Sequence, residues 1–209
     1  MSFNTKQKLL IATHNQGKVR EYRGLLANLP FAVVSLDEVG ITYDVEETGV
    51  TFAENARLKA QTYAALAHMW TWADDSGLEV DALDGRPGVY SARFAGAKAG
   101  DAANNAKLIA ELHQLARQSD VAPSRRARFR CVVALAAPDG QIYTCEDSVK
   151  GEIVDEPAGE HGFGYDPHFY LPTLGRTMAQ LPAEVKNEIS HRGKAARQAE
   201  KLLRALVGE

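Results

Sequence analysis

Residues 70–81 read WTWADDSGLEVD, and the rest of the chain is interpreted around this stretch. It opens with an apolar and aromatic run and ends with alternating apolar and acidic residues, which is typical of a half-exposed strand. Between these parts lie two adjacent carboxylates, Asp74 and Asp75, followed directly by Ser76 and Gly77. Neighbouring carboxylates repel each other, and placing them against an apolar run costs free energy unless a positive charge compensates.

Two interpretations of the paired carboxylates are open at this point. A divalent metal ion with oxygen ligands is the simplest compensating charge at neutral pH. The alternative is a solvated acidic turn that Gly77 closes. Residues elsewhere in the chain therefore have to decide between a metal site and a turn.

Length and composition are those of an ordinary globular protein. The 209 residues suffice for one domain, residues 1–209, with a sizeable core that two lobes can share. The formal net charge of −3 gives no electrostatic reason to expect nucleic acid or a membrane as a partner. Basic residues within 125–130 alternate partly along a predicted strand, so we interpret them as a mostly solvated face.

Cysteine content and the N-terminus indicate the compartment. The two cysteines, Cys131 and Cys145, lie in strand-like runs and suit a reducing cytosol better than a disulfide. Residues 1–8 are polar and lack the apolar stretch of a signal peptide, and no segment reaches transmembrane length. We therefore expect a cytoplasmic protein.

The N-terminal segment has the pattern of a strand, a polar glycine loop and a helix. Residues 8–13 form an apolar run, HNQG follows, and apolar residues then recur at helical spacing. This arrangement points backbone N–H groups and the positive end of a helix at one place, which favours an anion. Thr13, Asn15 and Lys18 add a hydroxyl, an amide and a cation there. The alternative is an ordinary loop in which Asn15 caps the helix.

Two further carboxylates precede the second helix. Glu46 and Glu47 lie in an irregular acidic segment, and Thr51 with Glu54 forms a capping box that opens a long helix. These glutamates are either solvated loop charges or, if the loop folds back, oxygen ligands that join Asp75 around a hard cation.

The middle of the chain predicts one helix and several strands. Asp101 is predicted to cap a helix whose buried face includes Leu108. Residues 129–137 are strongly strand-like, and Pro-Asp-Gly at 138–140 indicates a β-hairpin. A separate strand is predicted over residues 148–153.

A second unusual stretch, residues 160–167, reads EHGFGYDP. Glycines let backbone approach a ligand closely, and an exposed aromatic ring beside them offers a surface for stacking a base, worth roughly 1–3 kcal/mol per base. The alternative is a loop in which Phe163 fills the core.

Basic side chains gather near the last predicted helix, which Ser190 is suited to cap. Lys186, His191 and Arg192 donate hydrogen bonds to oxygen acceptors such as phosphate or a purine keto group. The alternative interpretation of the His-Arg pair is a surface helix terminus.

Together, these motifs resemble the inosine triphosphate pyrophosphatase family, also called dITP/XTP pyrophosphatases. The resemblance extends from residue 12 to residue 195, and several motifs in one order and spacing make it specific. It rests on ATHNQGK at 12–18, EETG at 46–49, Phe52, ENA at 54–56, ADDSGL at 73–78, PGVYSAR at 87–93, GFGYDP at 162–167, KN at 186–187 and SHR at 190–192.

The resemblance implies an α/β fold with a long twisted mixed β-sheet flanked by helices and two lobes with a central cleft. It also implies a homodimer. From the net charge, we expect no nucleic acid and no membrane as partners. The implied reaction is hydrolysis of a non-standard purine nucleoside triphosphate (ITP, dITP or XTP) to the monophosphate and pyrophosphate, with Mg²⁺ as cofactor. This reaction would cleanse the nucleotide pool.

The resemblance further implies roles for individual residues. Asp75 would be the general base and would hold Mg²⁺ with Glu46, although Glu47 is left open as the alternative ligand. Asp74 would orient the loop. The predicted contacts to the phosphates come from Thr13, Asn15, Lys18 and Ser76, and the neighbouring His14, Gln16 and Gly17 are predicted to bind the substrate as well. The predicted contacts to the base and ribose come from Phe163, which stacks on the base, and from Gly164, Tyr165, Asp166, Lys186, His191 and Arg192.

Two other function classes are weighed against the pyrophosphatase. A nucleotide-binding regulator without catalysis gains nothing from carboxylates at Glu46 and Asp75. A nucleic-acid-associated protein using the basic residues of 125–130 is disfavoured by the acidic net charge.

Overall fold

The structure of the protein, a computed structural model, describes residues 7–208. The strands of this part are β1 (Gln7–Ile11), β2 (Phe31–Ser35), β3 (Trp70–Val80), β4 (Arg126–Ala136), β5 (Ile142–Ile153), β6 (Phe169–Leu171) and β7 (Arg176–Thr177). The α-helices are α1 (Gln16–Leu25), α2 (Phe52–Ala67), α3 (Asp101–Arg117), α4 (Ala183–Ile189) and α5 (His191–Val207).

The strands form one seven-stranded sheet in the order β2-β1-β3-β4-β5-β6-β7. Strand β1 runs parallel to both β2 and β3, whereas β6 runs antiparallel to both β5 and β7. The sheet is therefore mixed, and with its flanking helices it confirms the predicted α/β class. Among the helices within residues 7–208, none is both long enough and apolar enough to span a membrane.

The chain divides into two compact units. The first unit contains the described residues up to Asp75, Cys131–Asp147 and the described residues from Arg192 onward; the second contains Ser76–Arg130 and Ser148–His191. Three strands, β3, β4 and β5, contribute residues to both units.

Each unit has its own hydrophobic core. In the first, Tyr22 of α1 packs edge-on against Trp72 of β3, with ring centroids 5.5 Å apart and an interplanar angle of 66°. In the second, Phe129 and Phe169 pack with ring centroids 4.5 Å apart, and Leu108 and Leu112 of α3 are fully buried beside them. Burial of these aromatic groups contributes the largest apolar areas of each core.

Helix starts follow the predicted capping chemistry in two cases. Asn15 is the N-cap of α1, and its Oδ1 accepts a hydrogen bond from the backbone N–H of Lys18 at 3.1 Å. Thr51 and Glu54 form the predicted capping box of α2. In α3, however, the N-cap is Gly100 without a side-chain hydrogen bond, so the predicted capping role of Asp101 is wrong.

Several element predictions need correction. The turn interpretation of Asp74 and Asp75 is wrong, because both lie inside β3 and are 1% and 5% exposed. The separate strand predicted over 148–153 is the second half of a continuous β5, which follows the predicted hairpin at residues 138–140. Helix α4 has only seven residues and was not predicted, because its short sequence shows too little apolar periodicity.

Candidate functional site

The adjacent carboxylates of β3 have separate partners within the first unit. Successive side chains of a strand point to opposite faces, so Asp74 and Asp75 are not forced together. Asp74 Oδ2 lies 2.9 Å from Lys18 Nζ and 3.6 Å from Arg192 Nε. Asp75 Oδ2 accepts a hydrogen bond from Asn55 Nδ2 at 3.0 Å. The strand geometry thus reduces the repulsion that the sequence suggested.

Asp74 is held in its charged form. Burial raises the pKa of this carboxyl, but the positive charges of Lys18 and Arg192 outweigh burial, and the net pKa lies well below its usual range. The Sγ of Cys131 lies 3.8 Å from the same Oδ2. An acid with so low a pKa is a weak base, so Asp74 is suited to organising positive charges rather than to accepting a proton.

Arg192 belongs to the same buried network. Its side chain is only 4% exposed, and its Nη1 lies 2.7 Å from Glu21 Oε2. The carboxylates of Glu21 and Asp74 raise its pKa further, although burial lowers it. These described contacts join α1, β3 and the first turn of α5. A direct contact of Arg192 with the base stays a prediction.

Asp75 has the opposite electrostatic character. Burial raises the pKa of this carboxyl above its ordinary value, and the positive charges of Lys59 and Lys18 only partly oppose that rise. A buried carboxylate with a raised pKa is a stronger base than an exposed one. Of the two neighbours, Asp75 therefore has the chemistry of a general base.

Lys59 is a residue of this site that the sequence interpretation missed. Its Nζ lies 2.6 Å from Glu47 Oε1 and 3.8 Å from Asp75 Oδ1. Burial lowers its pKa, but these carboxylates outweigh burial, so the ammonium stays charged. One signal was available. Asn55 and Lys59 are four residues apart on the buried stripe of α2, where apolar residues are expected.

The residues of the N-terminal loop contact one another and also Asp37 and Tyr43. Thr13 Oγ1 accepts from the backbone N–H of Asn15 at 3.2 Å. His14 Nε2 is 3.3 Å from the carbonyl oxygen of Tyr43, and Gln16 Nε2 donates to Asp37 Oδ2 at 3.2 Å. The half-buried Gly17 lies in the first turn of α1. The helix cap at Asn15 is confirmed, and binding of an anion by this loop stays a prediction.

The donor set near Asp75 fits a magnesium ion that is shared with a substrate. Within residues 7–208, no three His, Cys, Asp or Glu side chains gather as a metal site. Mg²⁺, however, commonly takes only one or two carboxylates and completes its shell with water and substrate phosphates. Glu47 and Asp75 converge on the same Lys59 ammonium, whereas the Glu46 side chain is exposed.

The second unit contains the glycine-rich loop. Asp166 Oδ2 accepts hydrogen bonds from the backbone N–H of Phe163 at 3.0 Å and from Lys186 Nζ at 2.6 Å. Lys186 Nζ also lies 5.2 Å from the centroid of the Phe163 ring. Asp166 and Lys186 are buried, so this ion pair fixes the loop.

The two aromatic residues of the loop differ in burial. Tyr165 is buried in the core of the second unit, and its hydroxyl donates to the backbone carbonyl of Ser91 at 2.8 Å. Burial, together with the nearby charge of Asp101, raises the pKa of this phenol. Phe163 is only half-buried. The aromatic that fills the core is therefore Tyr165, which leaves Phe163 as the candidate for stacking on a base.

His191 and Ser76, two other residues predicted to contact the nucleotide, are partly or fully buried within the second unit. His191 is buried and stacks on Phe129, with ring centroids 4.7 Å apart and an interplanar angle of 13°. Ser76 is half-buried within β3. Their contacts with a nucleotide stay predictions.

Comparison with known proteins identifies the family. The sequence model of the Ham1 family matches residues 9–202 of this chain. The dITP/XTP pyrophosphatase of Desulforamulus reducens is 51% identical over 199 residues, which cover 95% of this chain and 96% of the relative. That of Geobacter sulfurreducens is 50% identical over 188 residues, covering 90% and 92%.

Solved structures agree with the sequence relatives. A HAM1 protein from Coxiella burnetii superimposes with a TM-score of 0.84 at 39% identity, covering 95% of this chain and 99% of that one. The Ham1 protein of Staphylococcus aureus gives a TM-score of 0.80 at 44% identity, with the same coverages. The resemblance found from the motifs is confirmed, and the chain belongs to the Ham1 family.

Proposed function

We propose that this protein hydrolyses non-standard purine nucleoside triphosphates (dITP, ITP and XTP) to the monophosphate and pyrophosphate, and so cleanses the nucleotide pool. Relatives about half identical over nearly the whole chain bear the name dITP/XTP pyrophosphatase. The observation that carries the chemistry is the division of roles in β3. Asp74 is neutralised by Lys18 and Arg192, whereas Asp75 keeps a raised pKa.

In the proposed mechanism, Asp75 accepts a proton from a water molecule that attacks the α-phosphorus. The new bond joins the water oxygen to the α-phosphorus, and the bond from that phosphorus to the α–β bridging oxygen breaks. The bridging oxygen and its electron pair leave with pyrophosphate. Asn55 orients the Asp75 carboxylate through the bond to its Oδ2. Lys18 and Lys59 supply positive charge against the charge that develops on the phosphates.

A Mg²⁺ ion would be held by Asp75 and Glu47, and when bound it supplies neutralisation of the phosphate charge. The shared contact with Lys59 supports Glu47 over the originally predicted Glu46.

Recognition of the base is proposed for the second unit. Phe163 would stack on the purine, and Lys186, held by Asp166, would donate to the keto oxygen at position 6. Adenine has an amino group there, and leaving a buried donor unpaired costs on the order of 1–3 kcal/mol. The same contact accepts hypoxanthine and xanthine.

A homodimer and a cytoplasmic location remain expectations that accompany this proposal. The resemblance implies the dimer, and two free cysteines suit a reducing compartment. Analytical ultracentrifugation at micromolar concentration tests the dimer directly.

The function is tested with a nucleotide panel in the presence of Mg²⁺, with separate assays for pyrophosphate and orthophosphate. We expect ITP, dITP and XTP to yield pyrophosphate and the monophosphate, and ATP to react far more slowly. Release of orthophosphate without pyrophosphate would contradict the proposal, because the γ-phosphate rather than the α-phosphorus would then be attacked. Tight ITP binding without any product would indicate a regulator instead.

A further inference from the structure

The first turn of α3 carries polar residues where its buried stripe should be apolar. Leu108 and Leu112 continue this stripe and are fully buried, as helical spacing requires. One turn earlier, Asn104 and Asn105 occupy the same face and are 3% and 9% exposed. Buried amides are tolerated when they form hydrogen bonds that hold another segment in place.

Asp101 and Asn105 form hydrogen bonds with the two backbone polar groups of Gly164 in the glycine-rich loop. Asp101 Oδ2 accepts from the backbone N–H of Gly164 at 2.6 Å. Asn105 Nδ2 donates to the backbone carbonyl of Gly164 at 2.9 Å. Both backbone polar groups of Gly164 are therefore hydrogen-bonded to side chains of α3. We call this pair of hydrogen bonds, made by Asp101 and Asn105, the Gly164 clamp. Gly164 has a φ of +65°, a conformation that the clamp helps to hold.

The clamp gives Asp101 a purpose other than capping. A carboxylate at the first position of a helix is favourable because of the helix dipole. The Asp101 carboxylate, however, accepts a hydrogen bond from a residue 63 positions away in the chain. Asn105 shows the same preference. Within residues 7–208, no group donates a hydrogen bond to the buried Oδ1 of Asn105. This unpaired oxygen costs free energy that a leucine at the same place would avoid. The bond from Asn105 Nδ2 to Gly164 is therefore what the amide provides.

Gly164 lies between the two aromatic residues of the loop. Tyr165 is anchored in the core by its hydroxyl bond to Ser91, so the position of its backbone is fixed. Phe163 is tied by its backbone N–H to Asp166. The peptide groups of Gly164 are the link between these anchors, and a rotation there would tilt the Phe163 ring.

We propose that Asp101 and Asn105 are positioning residues that fix the backbone at Gly164, set the orientation of the Phe163 ring and thereby determine the affinity for the purine base. This inference rests on the proposed function for the identity of the ligand. It concerns residues that would not touch the nucleotide themselves.

Asn104 provides a matched control on the same helix. It is at least as buried as Asn105, but its Oδ1 accepts from the N–H of Ala95 at 2.8 Å and its Nδ2 donates to the carbonyl of Ala92 at 3.1 Å. Asn104→Ala therefore removes a buried amide from α3 without breaking the Gly164 clamp. Both alanine variants should lower the melting temperature.

The experiment compares the purified full-length wild type with Asn105→Ala, Asp101→Ala, Asp101→Asn and Asn104→Ala. For Asn105→Ala and Asp101→Ala we expect the KM for ITP to rise about tenfold with kcat changed less than threefold, because base stacking is weakened while Asp75 is untouched. Asp101→Asn keeps an oxygen acceptor and should restore most of the affinity. Asn104→Ala should keep the wild-type KM.

Equal KM values for Asn104→Ala and Asn105→Ala would overturn the proposal, as would a loss confined to kcat. Asp101 is exposed, so its variants should fold even if Asn105→Ala does not. NMR relaxation of the Gly164 amide, without nucleotide, must show increased motion in Asp101→Ala, and unchanged motion would also overturn the clamp. If the wild type releases no pyrophosphate from ITP, the proposed function fails, and this relaxation measurement still decides the clamp.

Discussion

Asp74 and Asp75 are neighbours in β3, yet the pKa of Asp74 is lowered and that of Asp75 is raised. Burial raises the pKa of both carboxyls, but Lys18, whose Nζ is 2.9 Å from Asp74, reverses that rise together with Arg192. Lys59, whose Nζ is 3.8 Å from Asp75, only partly opposes it. Two carboxylates with separated proton affinities can take separate roles in one reaction. One organises positive charge, and the other is available as a base.

Replacing the proposed base should remove turnover even at saturating Mg²⁺, a condition that offsets the loss of one proposed metal ligand. We expect Asp75→Asn to lower kcat for ITP by roughly 10²–10⁴-fold, the usual contribution of a general base. The amide keeps a similar shape and can still accept from Asn55. Pyrophosphate release gives kcat, and calorimetry gives ITP affinity. Asp155→Asn, which alters an exposed ion pair with Arg125, is the control and should keep wild-type kcat. A kcat for Asp75→Asn within tenfold of wild type would assign the base elsewhere.

Replacing Asp74 should instead act on stability. Asp74→Asn leaves the largely buried Lys18 and Arg192 without their shared carboxylate. Removing one member of a buried ion pair typically costs about 3–5 kcal/mol, and Glu21 offsets part of this by pairing with Arg192. Urea unfolding should therefore show a loss of about 3 kcal/mol.

Glu38→Gln is the control for this loss, because it removes the charge of a surface pair with Arg23 and keeps a side-chain oxygen that can accept from the backbone N–H of Ser35. Such exposed pairs contribute at most about 1 kcal/mol. If the two substitutions lower the free energy of unfolding equally, the buried network does not stabilise the first unit as argued.

The fold was largely predictable because its signals are local. Capping by Asn15 and Thr51 and the hairpin at residues 138–140 depend on a few neighbouring residues. The position of Asp75 was harder to predict. Its sequence neighbours suggested a turn, whereas pairing of β3 within the sheet keeps this stretch extended. Long-range pairing decided the outcome, and one sequence does not show it.

Within the candidate site, residue types were easier to predict than partners. Asp75 and Lys18 were singled out from motifs, but Lys59 was missed, because a lysine in a helix is ordinarily interpreted as solvated. Its burial depends on Glu47 and Asp75 reaching it from other segments. Polar residues on an apolar helical stripe, as also seen at Asn105, are the signal to look for.

The two neighbouring glutamates should differ in their effect on Mg²⁺. Glu47→Gln should raise the Mg²⁺ concentration for half-maximal activity on the order of tenfold, because it removes one of two carboxylates near Lys59. Glu46→Gln changes an exposed side chain and should leave that concentration unchanged. Activity is measured at fixed ITP over a Mg²⁺ titration. If Glu46→Gln raised that Mg²⁺ concentration and Glu47→Gln did not, Glu46 would be the ligand instead.

The buried thiol should be unreactive until high pH. Burial, reinforced by the charge of Asp74, raises the pKa of Cys131 to about 12. The ordinary thiol pKa is about 8.5, so at pH 9 the thiolate fraction of the native state is lower by on the order of a thousandfold. Cys131 is fully buried, so iodoacetamide reaches it only when the surrounding structure opens. Between about pH 9 and 11, alkylation of the native protein should therefore be much slower than alkylation in urea.

Alkylation by iodoacetamide, read by mass spectrometry at each cysteine, checks this prediction. Cys145 is the internal comparison, since it is only half-buried and burial raises its pKa as well. Cys131 should be the slower of the two at every pH below 11. Equal rates in the native protein would mean that Cys131 is more accessible than its surroundings indicate.

A methyl group at Gly162 should disturb base binding through Asp166. Gly162 has a φ of +82°, and a Cβ there would overlap with Asp166 Oδ2 and lie 2.8 Å from Lys186 Nζ. Gly162→Ala should therefore displace the ion pair that fixes Phe163 and raise the KM for ITP about tenfold. Gly85→Ala is the matched control, because Gly85 has a φ of +81° with no atom near an added Cβ. Both variants carry the same backbone strain, so both should lose similar stability. Only Gly162→Ala should lose affinity for ITP. If both variants raised the KM equally, backbone strain alone, rather than the contact with Asp166, would explain the effect.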